Sequence, residues 1–213
     1  MREDYREELV NSLKDKPYNR TFSKLYDEVM QGWSTEARLA ALDTVELATL
    51  RSQRAKILRQ GQLRLFVHGN LTEAEALEIG AKVEQSFSDL QPIDIPQLVV
   101  TQLSNETRTS IQVDHSDSAL LLYMQSESDA IAERAEVALL NEMLSAPFYS
   151  SLRTEQQLGY IVFSNYLPMN EQPGLALVAQ SPVANAEQLR EAFALFLTQW
   201  RAALPELLAS ELD

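Results

Sequence analysis

Arg153 and Tyr160 stand seven positions apart in the stretch Pro147–Ser164. An arginine side chain is a permanently charged donor, and a tyrosyl O–H is a neutral one. Two such donors aimed at one carbonyl oxygen suit a developing oxyanion, provided that they are fixed and partly shielded from water. The spacing alone reads more readily as a solvated helix arginine followed by a strand-edge aromatic. Convergence requires a corner. Pro147 fits the first turn of a short helix, where its missing N–H costs nothing. Gly159 fits the stop of that helix, and Tyr160 opens the apolar run Tyr160–Tyr166, a predicted strand.

Other chemistries find little support. A zinc hydrolase needs about three N/O ligands and an open position, usually with two histidines on one helical face. The chain has two histidines, His68 and His115. They are far apart, and neither has a histidine three or four residues away. His68 reads as a turn residue at a strand end. His115, between Asp114 and Asp117, reads as a solvated loop residue, so no metal ligand is assigned. There is no Gly-x-Ser-x-Gly nucleophile motif. No phosphate-cradling glycine loop occurs either. The many carboxylates read as solvated surface.

Composition narrows the class further. The 213 residues, 45% hydrophobic, can supply the core of one large domain or of parts of two. No apolar run approaches the roughly 18 residues needed to span a bilayer, so no membrane partner is expected. A net charge of −13 argues against a nucleic-acid partner. It agrees with a solvated acidic surface and leaves room for a basic peptide ligand. The absence of cysteine removes disulfides, a thiolate nucleophile and cysteine-ligated zinc, and says nothing of compartment.

The elements that must hold the corner follow from periodicity. Residues 1–60 read as helices. Tyr5, Leu9, Ser12 and Leu13 share one face, Pro17 interrupts, and Phe22, Leu25, Tyr26 and Val29 form a second stripe. Gly32–Ser34 is a break, and Asp43 with Glu46 predicts a capping box. Leu63–Val67 predicts a strand. Thr72 with Glu75 predicts a second capping box, opening a helix that buries Ala76, Leu77, Gly80, Val83 and Phe87. A proline-bearing linker follows. Thr109–Val113 and Ala119–Met124 predict strands, Asp129–Ser145 a helix, and Leu175–Ala179 a strand. Asn185 with Gln188 caps a last helix whose buried stripe is Leu189, Phe193, Phe196, Leu197 and Trp200. The fold class is α+β. A helix-rich first unit ends strand–helix, and a second unit runs β-β-α-α-β-β-α, with an antiparallel-rich sheet and its helices on one side.

Phe148, Leu152-Arg153-Thr154, Gln157-Leu158-Gly159-Tyr160 and Phe163-Ser164 together resemble a signature of the insulinase/pitrilysin (M16, inverzincin) zinc metallopeptidases. The similarity extends in order across nearly the whole chain, including the Phe66–Leu71 strand exit and the Leu120–Met124 strand. It implies the C-terminal half of such an enzyme, which lacks zinc and closes over the substrate. Residues 1–90 would be the end of a third family domain, 91–107 a linker, and 108–213 the front of a fourth. Arg153 and Tyr160 would contact the substrate carbonyl and oxyanion, and Phe148 would line an apolar substrate pocket. The zinc of the parent enzyme would be held by the N-terminal half of the same polypeptide, with none bound here. The implied reaction is hydrolysis of enclosed peptides by a metal-bound water. The chain is thus expected to be an excised fragment, inactive alone, of a parent that is periplasmic by analogy with bacterial members, with the cytoplasm as the alternative compartment. A non-catalytic structural or peptide-binding subunit is the competing expectation.

Overall fold

The structure, a computed structural model, describes residues 1–211, with side chains through residue 205. The end of the expected 108–213 segment, Leu212 and Asp213, lies outside the described residues. The helices are α1 (Arg2–Leu13), α2 (Pro17–Val29), α3 (Thr35–Thr44), α4 (Leu47–Arg59), α5 (Glu73–Ser86), α6 (Ile131–Tyr149) and α7 (Ala186–Glu211). A π-helical turn, Ser150–Glu155, extends α6. The strands are β1 (Gln60–Gly61), β2 (Gln91–Pro92), β3 (Ser118–Gln125), β4 (Ile161–Tyr166) and β5 (Gly174–Ser181). Among the described residues no helix is long and apolar enough to cross a membrane.

The chain divides into two compact units, Met1–Leu39 with Leu98–Asp213, and Ala40–Gln97. The larger unit is built on the antiparallel sheet β3-β5-β4. Every residue of the central strand β5 is buried. Its alternation supplies two faces. Ala179 lies opposite Leu120 and Val162, and Leu177 opposite Leu122; with Leu175 they face α6 and α7. There they meet Leu144, Phe148 and Leu152 from α6 and its π turn, and Leu189, Phe193 and Phe196 from α7. Phe148 packs edge-on against Phe193 and Phe196 at 5.1 and 5.3 Å between ring centroids. The predicted α7 stripe is therefore the buried one, and the helices of the second unit do lie on one side of the sheet. Asn185 and Gln188 cap α7 reciprocally, as their spacing predicts.

The opposite face is covered by α2, which begins at Pro17 in its first turn. Phe22 stacks on Phe163 of β4, with centroids 6.2 Å apart, and Tyr18 meets the same ring edge-on. The Tyr18 N–H donates to the Gln180 side-chain oxygen at 3.2 Å.

The order of elements departs from expectation at three places. Thr109–Val113 and Leu63–Val67 are not strands. A strand is stable only when its backbone groups find a ladder partner, and among the described residues neither segment pairs. Asp43 lies inside the last turn of α3, so it is not in the extended conformation that an N-cap requires, and α4 opens after Glu46 with no side-chain cap. The Thr72–Glu75 capping box does form. In the smaller unit, Leu77 and Phe87 of α5 are not buried; with Leu63, Leu65 and Leu90 they line an open apolar groove of about 840 Å³.

Candidate functional site

The Pro147–Ser164 corner is one continuous winding rather than a separate helix. Pro147 lies inside α6, and the chain widens into the π turn with Gln156 N–H donating to the Ser151 carbonyl at 3.0 Å. The helical stop expected of Gly159 is made two residues earlier: Gln157 takes the left-handed conformation, φ 53°. Gly159 has a different constraint. A Cβ there would stand 2.1 Å from the Gln180 carbonyl oxygen, so only glycine lets the corner lie against β5. The Ser181 hydroxyl, which donates to the Leu158 carbonyl, ties down the same approach.

This winding brings Arg153 and Tyr160 to one open depression of about 390 Å³, lined also by Thr154, Gln157, Gly159 and Pro182. The half-buried Arg153 donates from Nη1 to the Gly159 carbonyl at 3.0 Å, and its guanidinium lies 5.7 Å from the centre of the Tyr149 ring. One of its five N–H donors closes the corner, and among the described residues the others have no acceptor, which leaves them open to a carbonyl or carboxylate ligand. Tyr160 is 50% exposed. Its hydroxyl oxygen accepts from Gln180 Nε2 at 2.8 Å, and the same amide donates to Asp117 at 2.9 Å.

The electrostatics follow from that cluster. Partial burial first, and then the negative charge of Asp117 and a hydrogen bond with its carboxylate, push the Tyr160 phenol above the usual tyrosine value. The Gln180 hydrogen bond is the main cause that holds the Asp117 carboxyl below the usual aspartate value, with Ser116 and His115 adding to it. A tyrosine is already neutral near neutrality, and this surrounding disfavours its ionisation further.

Phe148 is placed differently from its expected role. It has no exposed surface and is a core residue against α7, so it cannot line a substrate pocket from this position. The exposed aromatic is the next residue, Tyr149, which shares a helical face with Arg153 four positions on. That spacing was available in the sequence. So was the oddity of Gln180, a lone amide in an apolar strand. Asp117 carried no such signal, because it lay in a polar turn. His115 accepts from the Asp117 N–H at 2.9 Å, and His68 stacks on Phe66 in the smaller unit. Among the described residues no three His, Cys, Asp or Glu side chains are gathered to hold a metal ion.

Comparisons with known proteins find similarity to zinc peptidases and to PQQ synthesis proteins. The family described as PQQ synthase PqqF-like, C-terminal lobe domain 4, matches residues 139–213. The human insulin-degrading enzyme is 28% identical over 214 residues, covering 91% of this chain and 20% of the relative. The coenzyme PQQ synthesis protein F of Pseudomonas protegens is 39% identical over 92 residues, covering 43% of this chain and 11% of that protein. The crystal structure of pitrilysin matches with a TM-score of 0.76 at 22% identity, covering 95% of this chain and 22% of that one, which shows a shared fold. The chain spans about a fifth of the length of the first curated relatives it matches.

Proposed function

We propose, from the premise that this chain belongs to the C-terminal half of the insulinase/pitrilysin (M16) family, that it supplies the substrate-binding jaw of a zinc-dependent peptidase. Arg153 and Tyr160 donate to the backbone carbonyl of a bound peptide and to the oxyanion that forms on it. The observation that carries this reading is their position on one depression, one with free guanidinium donors and the other held as a neutral phenol. A charged and a neutral donor fixed before reaction stabilise developing negative charge without reorganising.

The described residues do not fit a zinc site. The metal's ligands are assigned to the N-terminal half of the same polypeptide, the partner that this jaw would close upon. In this reading residues 1–90 belong to a third family domain, 91–107 to a linker and 108–213 to a fourth. The parent is periplasmic and takes peptides, and the 213-residue chain alone hydrolyses none.

The deciding measurement is steady-state hydrolysis of a quenched-fluorescence peptide by the parent enzyme carrying Arg153→Ala or Tyr160→Phe. A loss of kcat/KM with an intact fold is expected. Unchanged kcat/KM in both variants removes the role and moves the reading to a structural or peptide-binding subunit. Chelator-sensitive cleavage by the 213-residue chain itself overturns its assignment as inactive alone.

A further inference from the structure

Gln180 is fully buried at the C-terminal end of β5, yet each polar atom of its side chain is used. Its oxygen accepts from the Tyr18 backbone N–H at the start of α2. Its nitrogen donates one hydrogen to the Tyr160 hydroxyl oxygen and the other to Asp117, at 2.8 and 2.9 Å. A carboxamide has two donor hydrogens and one acceptor oxygen, so its orientation is over-determined: the N–H of α2 requires the oxygen on one side, and the carboxylate requires the nitrogen on the other. The partners come from the start of α2, the turn before β3, and the residue directly before β4. No single element could hold the phenol alone.

We propose that Gln180 is a positioning residue for Tyr160, its carboxamide tying the phenol oxygen to the Asp117 carboxylate and to the N-terminus of α2, so that the phenol stands fixed as a neutral donor at the rim of the depression. Asp117 acts through the same amide and through its charge. The charged and titratable groups around the phenol are Asp117 from the turn before β3, itself flanked by His115, Tyr18 from α2, and Arg153 across the depression. Gln180 itself touches no substrate. The clasp deepens the peptidase reading, and its use in catalysis rests on that reading, but its geometry can be measured without a substrate.

The test is a ¹³Cζ-tyrosine NMR titration of the 213-residue chain, with the Tyr160 resonance assigned by its loss in Tyr160→Phe. Tyr160 should titrate above exposed tyrosines of the same chain. Asp117→Asn should move its midpoint down, because the raising charge is gone. Gln180→Met, of similar length, should move it up, because a donor to the phenolate is lost. These opposite signs would not arise from a merely structural loosening, which would bring both variants toward the exposed value. If Gln180→Met does not fold, the Asp117→Asn titration alone decides. A Tyr160 that titrates with the exposed tyrosines and is unmoved by Asp117→Asn overturns the clasp. If the titrations follow the expected pattern while Tyr160→Phe leaves kcat/KM of the parent unchanged, the clasp stands and the peptidase role falls.

Discussion

Arg153 Nη1 lies 3.0 Å from the Gly159 carbonyl oxygen, so the cation assigned to the substrate also closes the corner that presents Tyr160. The two proposed donors are thus coupled through the backbone between them. Arg153→Ala should therefore lower kcat/KM of the parent enzyme by on the order of 10²–10³, the range for loss of one oxyanion donor. Arg153→Lys should recover little, because a single ammonium cannot serve both the Gly159 carbonyl and a second acceptor with the geometry of a planar fork. Tyr160→Phe should fall in the same range as Arg153→Ala. Stopped-assay kinetics beside a circular-dichroism melt separates lost chemistry from lost fold.

Gly159→Ala tests the close approach of the corner to β5. The new methyl would meet the Gln180 carbonyl oxygen at 2.1 Å, a backbone atom that cannot swing aside. Overpacking of this kind costs about 1–3 kcal/mol. The urea midpoint should fall accordingly, and the Tyr160 resonance should shift because Gln180 moves with its carbonyl.

Phe148 and Tyr149 are neighbours in sequence and opposites in environment. Phe148→Ala empties a site enclosed by Phe193 and Phe196 and should destabilise the larger unit by about 3–5 kcal/mol. Tyr149→Ala, at a half-exposed position, should change stability by no more than about 0.5 kcal/mol. A denaturation midpoint that responds to Tyr149 and not to Phe148 would contradict the core placement.

Glu133 supplies a pH-dependent tie between β3 and α6. It accepts from the Ser126 hydroxyl first, and from the Ser128 hydroxyl and N–H, and these bonds hold its carboxyl below the ordinary value of 4.5. A depressed folded-state value means that its contribution is fully present above the unfolded value and is lost as pH falls through the folded one. The stability gap between the wild type and Glu133→Gln should be constant near neutrality and close as pH drops below about 4.5. Urea denaturation at a series of pH values measures that gap.

Much of the scaffold is written in local patterns. The stripe Leu189, Phe193, Phe196 and the Asn185–Gln188 cap need only one helix to be recognised, and the structure keeps both. The approximate bounds of β3, β4 and β5 follow from short apolar runs. The elements that were misread are those whose state depends on a distant partner. Thr109–Val113 and Leu63–Val67 have the composition of strands, but a strand is completed by another strand. Leu77 and Phe87 have the period of a buried face, but burial is completed by whatever covers that face. Glycine commonly ends helices, so Gly159 reads locally as a stop; its actual constraint is a carbonyl on β5, twenty-one residues away in sequence.

The sequence by itself determined that Arg153 and Tyr160 sit on either side of a helix–strand corner, because proline, glycine and apolar periodicity act over a few residues. The order of those residues also carries the resemblance to the insulinase/pitrilysin signature. Only the tertiary structure decided what holds the phenol. Gln180, Asp117 and the Tyr18 N–H meet at Tyr160 because α2 covers one face of the sheet while β5 carries its single buried amide to the edge of the depression. Tertiary packing also withdrew Phe148 from the site and left Tyr149 beside Arg153, since which of two adjacent aromatics is buried depends on the helix that packs against them.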